Sequence, residues 1–406
     1  MANLEIGRER VRYRPGSAHG PGRRIPLPNG RALIDFRRDL HAHPEVGYKE
    51  HRTTTALLAR LREIGLDPQV LPGGTGLICD IRGGEGPMVA LRADIDALPQ
   101  HDTKNVAYRS TVEGVAHACG HDVHTTMLLG AGHYLSMLAD SGFPGTVRLI
   151  FQPAEEVPGG ARDVITAGGL TGVERIFALH CDPAEEVGFL GLRTGAITAS
   201  YDKIRVEVTG PGGHTARPYL TADLVTAIAA MAKDVPAALA REIDPRIGHV
   251  LAFGHISAGT AANSIPTTGL LEGSLRLLDL AEVPSVIEKL RRLVAAVAAT
   301  YKVEATLLTS VGLPPTVNEA TSVEIFRDSG IRALGEVKDG STGQSLGGED
   351  FGYYTVETKG ALARFGVRTP GMPKYDLHKG GFDVDEDCIA LGVRLWVATA
   401  LRALHW

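Results

Sequence analysis

Two successive rhythms of strands and helices run through this chain of 406 residues. In residues 31–196, short β-rich runs alternate with segments whose apolar residues recur at helical spacing, which predicts an α/β domain with a largely parallel sheet. In residues 197–312 the order becomes β-α-β-β-α-β, the split βαβ arrangement of ferredoxin-like folds. The first rhythm resumes in residues 313–406. We therefore predict a two-domain α/β chain in which a smaller α+β domain, 197–312, is inserted into a domain built from both flanking segments.

Length and charge narrow the class of protein. A chain of 406 residues is long for one core, which also favours two domains. The formal net charge of −5 gives no general attraction to nucleic acid or to anionic membranes, and we expect neither as a partner. No stretch is apolar for long enough to cross a bilayer. Four scattered cysteines do not form the framework of a small disulfide-bonded domain, so we predict reduced thiols and a cytoplasmic location.

The N-terminal residues 1–30 differ in composition from the rest of the chain. They are rich in arginine and then in proline and glycine, and they lack the apolar segment of a secretory signal. We interpret them as a flexible or loosely docked extension. The alternative is a basic arm for a partner.

The run His117-Ala118-Cys119-Gly120-His121-Asp122 places a thiol, two imidazoles and a carboxylate within one short turn. Thiolate and imidazole are ligands that Zn²⁺ prefers, so Cys119 and His121 are candidate metal ligands. The alternative is a buried free cysteine beside packed histidines. Asp122 stands either to orient an imidazole ligand or to cap the following helix. His117 and His124 could each donate a hydrogen bond that supports a metal ligand, or each could be an ordinary surface or capping histidine.

Polar residues also follow several apolar strands. Glu155 and Glu156 come after the predicted strand Val147–Phe151, and His180 follows the predicted strand Ile176–Leu179. Ligands of α/β sheets bind at such strand ends. Adjacent residues of an extended chain point to opposite sides, so with extended chain through Glu155 and Glu156 we predict that one glutamate binds metal and its neighbour faces the attacking water. Taken separately, the glutamates fit a solvated turn, and His180 fits a histidine bonded to the backbone.

Asp94 and Asp96 also end a predicted strand and share one face of an extended segment. They could hold a ligand histidine or the partners of a metal-bound water, but a surface turn with acidic caps explains them as well. In the predicted inserted domain, His214 lies in a glycine-rich loop that lacks the lysine of a phosphate-binding loop. It could close over a substrate and polarise a carbonyl. Asn263 and Arg276 lie on or near strands and could grip a substrate carboxylate, although structural roles explain both.

Eight motifs together resemble the aminoacylase and N-acyl-amino-acid amidohydrolase family, which includes hippurate hydrolases and indole-acetyl-amino-acid hydrolases. The resemblance runs from about Arg37 to the C-terminus. The motifs are R-R-D-L-H-A-H-P-E (37–45), R-A-D-I-D-A-L-P (92–99), H-A-C-G-H-D (117–122), Q-P-A-E-E (152–156), G-G-H-T-A-R-P (212–218), A-N-S-I-P (262–266), G-G-E-D-F (347–351) and L-H-K-G-G-F-D (377–383).

This resemblance implies a zinc-peptidase-like α/β catalytic domain with an inserted lid and dimerisation domain. It also implies two divalent metal ions, zinc or manganese first and cobalt or nickel as alternatives. The implied metal ligands are Cys119, His121, Glu156, His180 and His378. Further implied roles are the general base for Glu155, a supporting aspartate for Asp96, a lid histidine near the scissile carbonyl for His214, and substrate-carboxylate binding for Asn263 and Arg276. In a homodimer, the last three residues could act on the partner subunit's site.

The predicted reaction is hydrolysis of the amide bond of an N-acyl amino acid to a carboxylic acid and a free amino acid. Glu155 assists the attack of a metal-bound water. One alternative is a dipeptidase or carboxypeptidase on the same dinuclear site. Another is a catalytically silent binding protein, which would have lost a ligand or Glu155, and the sequence keeps them all. The acyl group stays open, because His101-Asp102 and Tyr219 depart from what relatives often carry there.

Overall fold

The computed structural model describes residues 30–157, 159–335 and 342–406, so most of the predicted N-terminal extension lies outside the described residues. The helices are α1 (Gly30–Ala42), α2 (His51–Glu63), α3 (His121–Ala139), α4 (Gly160–Thr166), α5 (Leu224–Glu242), α6 (Val283–Tyr301), α7 (Ala320–Leu334), α8 (Gly352–Glu357) and α9 (Asp387–Ala403). The strands are β1 (Gln69–Val70), β2 (Leu77–Arg82), β3 (Met88–Asp94), β4 (Thr146–Gln152), β5 (Val173–Glu186), β6 (Leu190–Gly191), β7 (Gly195–Ala196), β8 (Tyr201–Thr209), β9 (Gly213–His214), β10 (His249–Ala258), β11 (Ser264–Ile265), β12 (Thr268–Leu277), β13 (Glu304–Leu313), β14 (Val317–Asn318) and β15 (Lys359–Arg368).

The described chain divides into two compact units. The first contains the described residues up to Leu192 together with those of 321–340 and from Ala363 onward, and the second contains Arg193–Ala320 and the described residues of 341–362. The boundaries drawn from the sequence, 197 and 312, stay a prediction. Among the described residues, no helix combines the length and the apolar character needed to span a bilayer.

A seven-stranded sheet with the order β1-β2-β4-β3-β5-β15-β6 forms the centre of the first unit. The central strands β4, β3 and β5 are parallel, as the alternation of strands and helices predicted. The pairs β1–β2, β2–β4 and β15–β6 are antiparallel, so the sheet is mixed rather than uniformly parallel. The parallel strands carry nearly continuous apolar runs because both of their faces are buried.

Helix α3 is buried along most of its length, which explains why its apolar residues do not keep to one stripe. It begins at His121, directly after Gly120, whose φ is 87°. A Cβ at Gly120 would lie 2.8 Å from Sγ of Cys181. Only glycine therefore fits between Cys119 and His121, and it joins the two side chains through a tight turn.

The second unit contains a four-stranded antiparallel sheet with the order β10-β12-β8-β13. Along the chain its elements follow as β8-α5-β10-β12-α6-β13, so the predicted ferredoxin-like arrangement is confirmed. Strand β8 alternates as expected, with Ile204, Val206 and Val208 buried in a core that α5 and α6 complete.

Candidate metal centre

The candidate residues of the first unit lie where its parallel strands end. Strand β3 ends at Asp94 and β4 ends at Gln152, three residues before Glu155. Strand β5 is longer than predicted and continues through His180 to Glu186. Because α3 starts at His121 beside these strand ends, a tight cluster of side chains forms at this edge of the sheet.

The structure brings the five proposed metal ligands together. One potential ligand atom from each of Cys119, His121 and His180 lies within 4.8 Å of the others, and the same holds for the trio of Cys119, Glu156 and His378. The two trios share Cys119. His121 also lies within 4.8 Å of both Glu155 and Glu156, so the candidate base belongs to the same cluster.

Backbone carbonyls fix the orientation of two imidazoles. Nδ1 of His121 lies 2.9 Å from the carbonyl oxygen of Asp96, and Nδ1 of His180 lies 2.8 Å from that of Cys181. A carbonyl oxygen only accepts, so each Nδ1 carries a hydrogen and donates it. In the neutral rings, the lone pair is therefore on Nε2. Nε2 of His180 lies 3.5 Å from Sγ of Cys119, so this lone pair is directed toward the cluster.

The charges and donors of the cluster fit a pair of divalent cations. Nε2 of His121 is buried and completes no hydrogen bond with any described residue. His378 Nε2 lies 3.2 Å from Glu156 Oε1, and interactions with Cys119 and Glu156 raise the pKa of His378 to about 10. The environment of Cys119 and Glu156 thus favours a positive charge at this position. Sulfur, imidazole and carboxylate donors in one cluster suit zinc or similar ions.

The turn after β4 departs from the extended chain that the sequence predicted. Ala154 has a φ of 51°, so the backbone leaves the strand direction before the two glutamates. Both Glu155 and Glu156 consequently reach toward His121 rather than pointing to opposite sides of a strand. The predicted proximity of a ligand and a base thus arises from a left-handed turn.

The sequence matches peptidase family M20/M25/M40 over residues 90–402. The chain belongs to this family. An N-acetyl-L-cysteine deacetylase of Bacillus subtilis is 36% identical over 92% of this chain and 88% of its own length. A solved structure of a dinuclear metal binding peptidase of the M20 family, also from Bacillus subtilis, has a TM-score of 0.82 and 32% identity over 93% of this chain and 98% of the other.

Another relative is longer than this chain. A Rhodococcus jostii protein that carries the name glutamate–cysteine ligase 2-3 is 45% identical over 90% of this chain, but the match covers only 46% of that protein. This chain thus spans about half the length of that protein, and the activity in its name is not transferred to this chain.

The family membership and the relatives confirm the predicted family, the two-domain α/β architecture and the class of a metal-dependent amidohydrolase.

Asp96 connects two parts of the cluster of candidate ligands. Its Oδ1 lies 3.2 Å from Nδ1 of His121, and its Oδ2 accepts a hydrogen bond of 3.0 Å from the backbone N–H of Glu156. The side chain is fully buried. Asp96 therefore lies beside two proposed ligands, in the position of a supporting aspartate.

His124, which the sequence left undecided, belongs to the shell around His180. The N–H of Cys181 donates to Nε2 of His124 over 2.8 Å, so Nδ1 carries the hydrogen and donates to Asp94 over 2.6 Å. Arg92 lies 2.6 Å from the same Asp94 carboxylate. Asp94 and His124 thus tie the end of β3 to the part of β5 that carries His180.

Asp122 fulfils neither of the two roles considered for it. It lies 2.8 Å from Nε of Arg37 and 2.7 Å from Nδ1 of His41, both on α1. Although burial alone would raise it, the charge of Arg37 holds the pKa of Asp122 well below its ordinary value. His117 is also buried, and burial lowers its pKa to about 3, so its ring stays neutral.

Two of the three predicted substrate-contacting residues meet in the second unit. Strand β9 pairs with β11, which places His214 opposite Ser264, and the N–H of Thr215 donates to the carbonyl oxygen of Asn263. Nδ1 of His214 accepts from the N–H of Ala216 over 3.0 Å, which leaves Nε2–H of the exposed ring as a donor. A donor of this kind can polarise a carbonyl oxygen.

Arg276 lies apart from the pair of His214 and Asn263. It is near the far end of β12 from Thr268, about 26 Å along the strand. Its guanidinium donates to the carbonyl oxygen of Leu346 and lies 4.9 Å from the ring centroid of Tyr201. Within the second unit, these partners already hold the side chain in place.

Two groups around the cluster were not among the predicted site residues. Glu50 is fully buried near the Glu155 turn, and the pair Arg37 and His41 holds Asp122. The sequence does carry a signal for the pair, because residues four apart on a helix share one face. Two basic side chains on the buried face of α1 call for a buried acid, which Asp122 supplies.

Proposed function

We propose that this chain hydrolyses the amide bond of N-acyl amino acids, releasing a carboxylic acid and a free amino acid. The observation that carries the proposal is the meeting of Cys119, His121, Glu156, His180 and His378 in one cluster that also includes Glu155. Five ligand-type side chains from separate parts of the chain in one cluster exceed what a structural role needs. We propose these five as the ligands of two divalent ions, zinc or manganese first, with cobalt and nickel as alternatives. Such ions, when bound, polarise the acyl carbonyl and acidify a water molecule.

Glu155 is the proposed general base. It is buried beside His121 and Glu156, so its carboxylate lies close to where a nucleophilic water would be held. It takes a proton from that water during attack on the acyl carbon. It then returns the proton to the departing amine, which leaves as the free amino acid. Asp96 holds His121 and the Glu156 backbone in place during both steps.

The second unit supplies the proposed substrate contacts. His214, whose Nε2–H is free to donate, stabilises the oxyanion of the tetrahedral intermediate. Asn263, beside it, binds the substrate carboxylate, and Arg276 is a further candidate for that contact. We propose that residues 197–312 form a lid and dimerisation domain of a cytoplasmic homodimer, in which these residues serve the partner subunit's site.

Replacement of the base tests the mechanism. For Glu155→Gln we expect metal content equal to that of the wild type and a kcat lower by about 10²- to 10⁴-fold, because the amide cannot take a proton. Metal would be measured by plasma mass spectrometry and turnover by amine release. The variant Glu63→Gln, on the exposed end of α2, is the control. Turnover of Glu155→Gln close to wild type would rule out this role.

A substrate panel separates the proposal from its alternatives. N-acetyl-L-cysteine comes first because a relative bears the name of its deacetylase, followed by benzoyl, long-chain acyl and indole-acetyl amino acids. Dipeptides and carboxypeptidase substrates form the second arm under the same metal. Preference for that arm would replace the proposal by a peptidase. Metal binding without turnover of any substrate would favour the silent binding protein.

A further inference from the structure

Glu50 lies at the start of α2, where a side chain usually accepts hydrogen bonds from the first turn of its own helix. It does not do so here. Glu45 fills that role, since its Oε1 accepts from the N–H of Arg52 over 2.9 Å and its Oε2 from that of Thr53 over 2.8 Å. The carboxylate of Glu50 is therefore available for another partner.

That partner is the turn that carries the two glutamates of the metal cluster. Oε1 of Glu50 accepts a hydrogen bond of 2.7 Å from the N–H of Ala154, the residue with a φ of 51°. Left-handed backbone at a residue with a Cβ is unfavourable and persists only where the surroundings hold it. Glu155 follows directly, so the hydrogen bond acts at the point where the direction of both glutamates is set.

The segment Glu45–Glu50 also contacts the second acidic loop of the site. The carbonyl oxygen of Glu45 accepts from the N–H of Ala97 over 2.8 Å, next to Asp96. Gly47 lies against the Ala154 turn, and a Cβ there would be 3.2 Å from Cα of Ala154. The segment Glu45–Glu50 therefore contacts both the loop of Asp96 and the Ala154 turn. The hydrogen bond between Asp96 and the Glu156 backbone joins the same two parts of the chain.

We propose that Glu50 is a positioning residue that sets the Ala154 turn and, through it, the directions of Glu155 and Glu156. This inference rests on the proposed function, in which those glutamates are the base and a metal ligand. A buried carboxyl group is costly, and burial raises the pKa of Glu50 to about 6 although backbone N–H groups, that of Ala154 among them, lower it. The hydrogen bond to the Ala154 turn explains why this carboxyl group is buried, whereas helix capping does not, because Glu50 makes no capping hydrogen bond.

The test compares Glu50→Leu with Glu50→Gln, because glutamine keeps an acceptor oxygen for the Ala154 N–H and leucine does not. We expect Glu50→Leu to lower kcat by about ten- to hundredfold with KM nearly unchanged, as misplacement of a reacting group does. We expect Glu50→Gln to restore most of that loss. The control is Glu63→Leu at the exposed end of the same helix.

Hydrogen exchange gives a readout that does not depend on turnover. In Glu50→Leu, the amide of Ala154 should exchange faster than in the wild type, and bound metal should be lost more readily on dilution. Glu50→Gln should retain protection at that amide. Unchanged kcat and unchanged exchange in Glu50→Leu would overturn the inference, and so would an equal loss in Glu50→Gln.

A second variant covers the case in which Glu50→Leu does not fold. Gly47→Ala presses a methyl group on the same turn and changes no buried charge. We expect a lower kcat with normal folding, and a kcat equal to wild type would overturn the inference. Glu155→Gln in the same assay separates the two proposals. If it stays active, the proposed function fails, whereas an inactive Glu155→Gln beside a fully active Glu50→Leu rejects only the positioning role.

Discussion

Cys119 is the residue on which the two metal-ligand trios depend, because it belongs to both. Loss of a residue that only supports a metal ligand lowers metal affinity by roughly 10- to 100-fold. For Cys119→Ala, which removes a proposed ligand itself, we expect metal affinity to fall further and turnover to fall with it. The matched control is Cys79→Ala on β2, another buried free cysteine that lies outside the cluster. Metal content and kcat would be measured for both variants. Equal metal content in Cys119→Ala and Cys79→Ala would contradict the assignment of this thiol.

For single residues, side-chain chemistry predicted the members of the cluster but not the residues that hold them in place. Cys119, His121 and Glu156 were found because their types and neighbours are those of metal ligands. Glu50 and His124 were missed or left undecided, because a lone glutamate or histidine has the same local sequence whether or not it holds another group. Their roles arise from contacts across more than fifty residues of chain, Ala154 for Glu50 and Cys181 for His124.

Between the elements, the short connections decide the geometry of the site. Strand ends bring the candidate residues to one edge, but the left-handed turns at Gly120 and Ala154 aim them. The glycine at position 120 is typical of a left-handed turn, whereas nothing in the sequence indicates such a turn at Ala154, because alanine rarely adopts positive φ. The prediction of extended chain through Glu155 and Glu156 was wrong for this reason.

The Gly120 turn yields a prediction with a matched control. Gly120→Ala adds left-handed strain of about 1–2 kcal/mol and a clash with Cys181, for which overpacking costs about 1–3 kcal/mol more. Gly74→Ala, at a φ of 83° with nothing within 4 Å of the added Cβ, carries the strain alone. Chemical unfolding should therefore show a larger loss for Gly120→Ala, and metal should be lost only there. Equal losses in both variants would show that the contact with Cys181 is relieved at no cost.

For the whole molecule, the order of strands and helices along the chain predicted the arrangement of the second unit better than that of the larger sheet. The change of rhythm near residue 197 predicted the ferredoxin-like arrangement, because the alternation of polar and apolar residues in β8 follows directly from a sheet with one buried face. The antiparallel edges of the larger sheet escaped prediction. A strand of two residues such as β1 or β6 is too short to carry a periodic pattern.

Removal of metal should act on one unit of the molecule, because all five proposed ligands and Glu155 lie in the first unit. Bound metal stabilises the fold that holds it, by about 2.7 kcal/mol when its free concentration is a hundred times Kd. Chelation should therefore lower Tm and speed hydrogen exchange in the first turn of α3 and in β5 around His180. Peptides from α5 and α6, in the core of the second unit, are the internal control and should exchange at an unchanged rate. Chelated Cys119→Ala should show a much smaller response. Equal acceleration in α5 and α3 would mean that metal stabilises the chain globally, which contradicts a site confined to the first unit.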